Sequence, residues 1–254
     1  MFKWMVNSLK GGAISSARVP DGSRVYVIGD IHGRIDLLKS VDRLIREDMA
    51  KASDNNSTTV VYLGDYVDRG LQSREVLDFL IDEPIPGCET VYLMGNHEQA
   101  FLGFLEDEDW GSGWFKIGGD VTAFSYGVRV PQDVPPDQLF SKIQEALLAA
   151  VPQHHLDFLA NLRLTHQIGD YLFVHAGIRP GVSLDRQSPD DLLWIKQEFL
   201  ESEEDFGKIV VHGHTVTDAP EIRTNRIGID TGAYFSQVLT CLVLEGVSKR
   251  FLST

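Results

Sequence analysis

Five short clusters carry side chains able to hold divalent metal ions: Gly29-Asp30-Ile31-His32-Gly33, Gly64-Asp65-Tyr66-Val67-Asp68-Arg69-Gly70, Gly95-Asn96-His97-Glu98, Val174-His175-Ala176-Gly177 and Gly213-His214-Thr215. Each offers oxygen or imidazole donors. A mixed set of carboxylate, amide and imidazole suits a first-row divalent ion in a hydrolytic site, with positions left for water and substrate. The flanking glycines permit sharp turns and close backbone approach to an anion. Alone, an Asp-x-His pair is an ordinary loop and His175 an ordinary core imidazole. Five such clusters, each following an apolar run, argue against coincidence.

The elements that must position these clusters are legible in the hydrophobic periodicity. Apolar runs at 25–28, 60–63 and 90–94 predict buried strands, and each ends in Gly-Asp or Gly-Asn. Helical spacing follows at 35–49, at 73–81 and through Phe101, Leu102 and Leu105. Successive strand-helix units of this kind predict parallel strands, with functional residues gathered at their carboxyl ends. The stretch containing Trp110, Gly111, Gly113, Trp114, Gly118 and Gly119 reads as loop-rich. Helices are expected at 136–150 and 152–162, and strands at 171–174, 208–211, 227–229 and 238–244. The acidic run at 201–205 reads as a solvated loop or helix end.

Composition bounds these readings. With 254 residues, 43% of them apolar and 24% charged, the chain suits a packed single domain, expected over residues 23–254 after an irregular leader at 1–22. A formal net charge of −14 repels polyanions and weighs against nucleic-acid binding, so an anionic substrate would need local cations. Cys88 and Cys241 have no metal-type spacing, and a reducing, cytoplasmic setting is expected. No apolar run approaches the ~20 residues that a membrane span requires, so no membrane association is expected.

The motifs GDIHG, GDYVDRG and GNHE, in this order and spacing, resemble those of the phosphoprotein phosphatase family within the calcineurin-like binuclear metallophosphoesterase superfamily. FVHAGIRPG, GHT and DTGA extend the resemblance over about residues 25 to 244, and its compactness is most similar to the bacterial and bacteriophage lambda-type enzymes. The resemblance implies an α/β fold of two mixed β-sheets packed as a sandwich and flanked by helices. It also implies two divalent metal ions, manganese first, with iron or zinc as alternatives. Asp30 and His32 are then ligands of one ion, Asp65 the bridge, and Asn96, His175 and His214 ligands of the other. Within His212-Gly213-His214, the histidine before Thr215 is the one that matches, with His212 the alternative.

By the same resemblance His97 and Asp68 form an acid dyad, while Arg69, Lys196 and Asn96 contact the substrate phosphate. Asp230 reads equally well as an orienting carboxylate or a turn residue. The implied activity is hydrolysis of phosphate monoesters, on phosphoserine or phosphothreonine and also phosphotyrosine, through direct attack by a metal-bridging hydroxide. The partner would be a phosphorylated protein or small phosphate ester, acted on by a monomer. Two positions depart from the pattern. Met94 stands before GNHE where many members have arginine, and Lys196 follows Trp194 where they have a phosphate-binding arginine, unless it is a plain surface lysine. A dinucleoside polyphosphate hydrolase acting on diadenosine tetraphosphate is the nearest alternative, and a fold that has lost catalysis a more distant one.

Overall fold

Apolar residues alternate along the strands so that both faces of two sheets are covered, one by the other sheet and one by helices. The computed structural model describes residues 12–51, 57–131 and 133–254. The strands are β1 (Ser23–Ile28), β2 (Ser57–Tyr62), β3 (Cys88–Tyr92), β4 (Thr165–Ile168), β5 (Tyr171–Val174), β6 (Ile209–His212), β7 (Glu221–Ile222), β8 (Arg226–Gly228), β9 (Thr240–Glu245) and β10 (Ser248–Ser253). One sheet has the order β10-β9-β1-β2-β3 and the other β4-β5-β6-β8-β7. In the first, β1, β2 and β3 are parallel and β9 and β10 antiparallel to their neighbours. In the second, β5, β6 and β8 are parallel, with β4 and β7 antiparallel at the edges.

Val25, Val27, Val61 and Leu242 of the first sheet meet Phe173, Val211 and Ile227 of the second in one buried layer. The opposite face of the first sheet, through Tyr26, Ile28 and Val60, packs on helices. These include α2 (Ile35–Lys51), α3 (Ser73–Asp82) and α4 (Asn96–Glu106), which follow α1 (Gly12–Ser16). Helix α2 buries Ile35, Leu38, Val41 and Ile45, a spacing of three and four that puts them on one stripe. The outer face of the second sheet, Leu172, Val174 and Val210, is covered by Leu192, Ile195 and Phe199. The fold is therefore the expected pair of mixed sheets with flanking helices. No helix among the described residues is long and apolar enough to cross a membrane.

Two expectations differ from the structure. Residues expected to be an irregular leader include α1, and Ile14, Ala17 and Val19 are buried against the inter-sheet core, because their apolar side chains cover its end. Residues 1–11 lie outside the described residues. The supposed loop around Trp110 to Gly119 is instead largely helical, with α5 (Gly111–Lys116) and α6 (Gly119–Ser125), ahead of α7 (Leu139–Ala150) and α8 (Gln153–Ala160). Gly111 and Gly119 there serve contact, while Gly118 turns the chain at φ 110°. A Cβ on Gly119 would lie 2.2 Å from the Trp114 ring, which itself stacks on Phe101 with centroids 5.1 Å apart. Gly119→Ala should therefore displace Trp114 and destabilise the fold by about 1–3 kcal/mol, the usual range for overpacking. The midpoint of urea unfolding measures it, and an unchanged midpoint would show that the ring moves aside freely.

Candidate active site

Strand ends deliver the expected residues to one place. β1 runs into Asp30 and His32, β2 into Asp65, Asp68 and Arg69, β3 into Asn96 and His97 at the start of α4, β5 into His175, and β6 into His214. The first two loops are joined by backbone. Ile31 and His32 both donate N–H to the Asp65 carbonyl, and Gly33 donates to the Tyr66 carbonyl. They cross so closely that a Cβ on Gly70 would lie 2.1 Å from the His32 carbonyl oxygen.

Glu98, a letter of GNHE with no role assigned from the sequence, holds the second loop in shape. Its buried carboxylate accepts N–H bonds from Asp65 (2.8 Å), Tyr66 (2.7 Å), Val67 (3.2 Å) and Gly95 (2.9 Å). Burial and the neighbouring Asp65 charge push its pKa up to about 8, against the pull of these donors. The bracing is needed. His32, Asp65, Asp68, Arg69 and His214 all have φ between 47° and 69°, a left-handed conformation that non-glycine residues rarely adopt. The remaining non-glycine example among the described residues is Gln237.

Asp65 lies at the centre of two groups of metal-grade donors. His32 Nε2 is 3.5 Å and His97 Nε2 3.7 Å from Asp65 Oδ2, while His175 Nε2 is 3.4 Å from Asp65 Oδ1. His214 Nδ1 lies 3.2 Å from His175 Nε2, and Asn96 Oδ1 lies 2.9 Å from His175 Nε2 and 2.8 Å from His214 Nδ1. His32 Nδ1 donates to the Val67 carbonyl and His175 Nδ1 to the Leu63 carbonyl, both at 2.9 Å. Such bonds fix the tautomer and leave each Nε2 lone pair pointing at the Asp65 carboxylate, the arrangement that metal-ligating histidines use. His97 shares the first cluster by distance.

The electrostatics call for cations. Burial raises the pKa of Asp30, reinforced by Asp230 and Asp65, and burial likewise raises Asp230 to about 6. For Asp65 burial acts upward too, but four imidazoles, His175 foremost, outweigh it and hold the carboxyl below its ordinary range. Burial keeps His32 and His214 neutral, with pKa values lowered to about 3 and about 2. Asp30 Oδ1, His32 Nε2 and His214 Nε2 are buried with no hydrogen-bond partner. Buried polar atoms are rarely left so. Orphaned donors, neutral imidazoles and clustered carboxylates together fit divalent cations.

Asp30 lies beside these clusters, its Oδ2 accepting the His214 N–H at 2.9 Å. His212 is elsewhere: its ring packs on Phe199, with centroids 5.1 Å apart. It is His214 that faces Asn96 and His175. His97 Nδ1 bonds Asp68 Oδ2 at 2.7 Å, and Trp114 Nε1 (3.0 Å) and Thr122 Oγ1 (2.6 Å) also donate to the Asp68 carboxylate. Burial works against a charged His97, but Asp65 and Asp68 prevail and raise its pKa. Arg69 Nη2 donates to His97 Nε2 at 3.2 Å, and its guanidinium sits 4.8 Å over the ring of Tyr234 in α11 (Ala233–Ser236), which follows α9 (Pro189–Trp194) and α10 (Gln197–Leu200). Lys196 is exposed at the rim, close enough for its charge to lower the His214 pKa, and Trp194 beside it bonds Gln99 Oε1 at 2.6 Å. Asp230 accepts the Gly232 N–H at 2.9 Å. Trp114, Thr122 and Tyr234 had no recognisable sequence signal, since their roles depend on where α5, α6 and α11 pack.

Known proteins resemble this chain in sequence and in fold. The chain is 28% identical over 218 residues to serine/threonine-protein phosphatase 2 of Escherichia coli, covering 82% of this chain and 87% of that protein. It is 32% identical over 158 residues to a symmetrical bis(5'-nucleosyl)-tetraphosphatase of Methylococcus capsulatus, covering 61% and 44% respectively. It is 27% identical over 194 residues to Shewanella-like protein phosphatase 2 of Arabidopsis thaliana, and spans 49% of that protein's length against 65% of its own. In three dimensions it is similar to the crystal structure of a candidate diadenosine tetraphosphatase, with a TM-score of 0.60 at 19% identity over 93% of this chain and 96% of the other. The model of the calcineurin-like phosphoesterase family, whose members depend on a binuclear metal centre, matches residues 23–236. With the fold, the His/Asp clusters and this match in agreement, the chain belongs to the calcineurin-like phosphoesterase family.

Proposed function

We propose that this phosphoesterase hydrolyses phosphate monoesters on proteins, using two divalent ions, manganese by preference. The observation that carries the reading is the His97–Asp68 pair beside both Asp65 and Arg69. Asp30, His32 and Asp65 would hold one ion, and Asp65, Asn96, His175 and His214 the other. When bound, such ions supply a water acidified into a nucleophile and neutralise charge developing on the phosphoryl group. Asp68, whose carboxylate accepts from Trp114 and Thr122 besides His97 and whose backbone N–H donates to Ser73 Oγ, fixes the imidazole.

Arg69 has two tasks in sequence. With no substrate it donates to His97 Nε2, which competes with protonation of that nitrogen. A phosphoryl group drawing Arg69 to its oxygens frees Nε2 to take up a proton from solvent and pass it to an alkoxide leaving group. Asn96 is placed to reach the same oxygens, and Lys196 to add a charge at the rim. The similarity to a tetraphosphatase supports a second reading, cleavage of diadenosine tetraphosphate. The partly exposed rings of Trp194 and Tyr234, near His214 and His32, offer faces for a base.

Turnover of a phosphoserine peptide, a phosphotyrosine peptide and diadenosine tetraphosphate with added manganese separates the readings. Faster turnover of a phosphopeptide is expected, and a preference for the dinucleotide overturns the protein phosphatase assignment. His97→Asn should lower kcat on the phosphoserine peptide by ~10²–10⁴-fold, and by less on an aryl phosphate whose leaving group hardly needs a proton. Equal losses on both esters would remove His97 from the acid role. Lys196→Arg should lower KM for small monoesters by about 1 kcal/mol in binding, as a two-donor contact replaces a point charge. Lys196→Ala should raise KM. Steady-state kinetics on all three forms check this, and a parent-like alanine variant places Lys196 outside the site.

A further inference from the structure

A third group of metal-grade donors lies away from the five motif clusters, where α8 packs on α3. Asp78 of α3 and His154 and His155 of α8 bring one carboxylate oxygen and two imidazole nitrogens within 4.8 Å of one another. His155 is fully buried, with Nε2 2.9 Å from Asp78 Oδ1. The His154 ring stands nearly perpendicular to it, 79° away with centroids 4.5 Å apart. From these positions we infer that Asp78, His154 and His155 bind a zinc-class divalent ion that staples α8 to α3.

The chemistry of each donor agrees. A zinc ion with bonds of about 2.0–2.2 Å to nitrogen and oxygen accepts two imidazoles and one carboxylate, with water in the fourth position. His155 has an outer partner of the usual kind, since Nδ1 lies 2.8 Å from the Tyr126 hydroxyl. With Nδ1–H donating to that oxygen, Nε2 presents its lone pair toward Asp78. Burial lowers the His155 pKa and keeps the ring neutral, the ligating form. Exposed His154 leaves an entry path from solvent. Arg74 is the competing cation, but its Nε is 3.9 Å from Asp78 Oδ2 and both side chains are largely exposed, so the pair is weak and displaceable.

The location gives the ion a structural task. Residues 93–164, between β3 and β4, include α4 to α8, and α8 closes this long excursion. A cation there fixes its last helix to α3 and, through Tyr126, to the carboxyl end of α6. The inference does not depend on the catalytic reading.

The test uses the full chain saturated with manganese and then exposed to zinc. Zinc content after desalting, the zinc-dependent change in Tm, and anomalous scattering from zinc-soaked crystals are compared for the parent, His154→Ala and Asp78→Asn. We expect an anomalous peak between the three side chains and a zinc-dependent rise in Tm, both lost in His154→Ala and diminished in Asp78→Asn. His154 is exposed, so its replacement leaves the fold intact. Equal zinc content and equal Tm changes in the parent and His154→Ala, with no peak at α3 and α8, overturn the proposal.

Discussion

One carboxylate in the interior supports the geometry of the whole centre. Glu98 takes four backbone N–H groups, three of them from the loop that carries Asp65, Asp68 and Arg69. Without it those groups would be buried and unpaired, at about 1–3 kcal/mol each. The loop carbonyls in turn fix the loop that carries His32. The strained backbone of the site is thus held by backbone N–H donors gathered around one buried carboxyl group.

The same economy of partners recurs around the other side chains of the site. Imidazoles that face Asp65 are aimed by main-chain carbonyls of neighbouring loops, so strand register and side-chain orientation are set together. Asp68 is held by an indole and a hydroxyl from α5 and α6, which makes those short helices part of the centre although neither group of donors around Asp65 includes a residue of theirs. Arg69 meets an imidazole and an aromatic face.

Much of this was legible in the sequence, for a physical reason. A buried parallel strand needs an unbroken apolar run, and a Gly-Asp or Gly-Asn stop marks where it delivers polar groups, so β1, β2, β3 and the residues after them stand out. Of the edge strands, β3 stands out through Val91 and the adjoining Leu93, whereas β10 buries only Phe251 and carries Lys249 and Arg250, and β7 has two residues. Glycines among tryptophans read as loop because composition cannot distinguish a glycine that turns the chain from one that admits a ring, as Gly119 does. Glu98 was visible only as a letter. Its task becomes apparent when residues some 30 positions earlier fold over it. Asp78 and the His154–His155 pair belong to no motif and meet only through helix packing.

The hydrogen bond from His214 N–H to Asp30 Oδ2 joins positions 184 residues apart. A chain emerging from the ribosome exposes Asp30 184 residues before His214. Until β6 docks beside β5, the nascent protein holds half a centre whose carboxylates lack both their amide partner and their last imidazole. The donor set around Asp65 is therefore complete only once the second sheet has been made, and an ion that needs both groups of donors would be captured only after that.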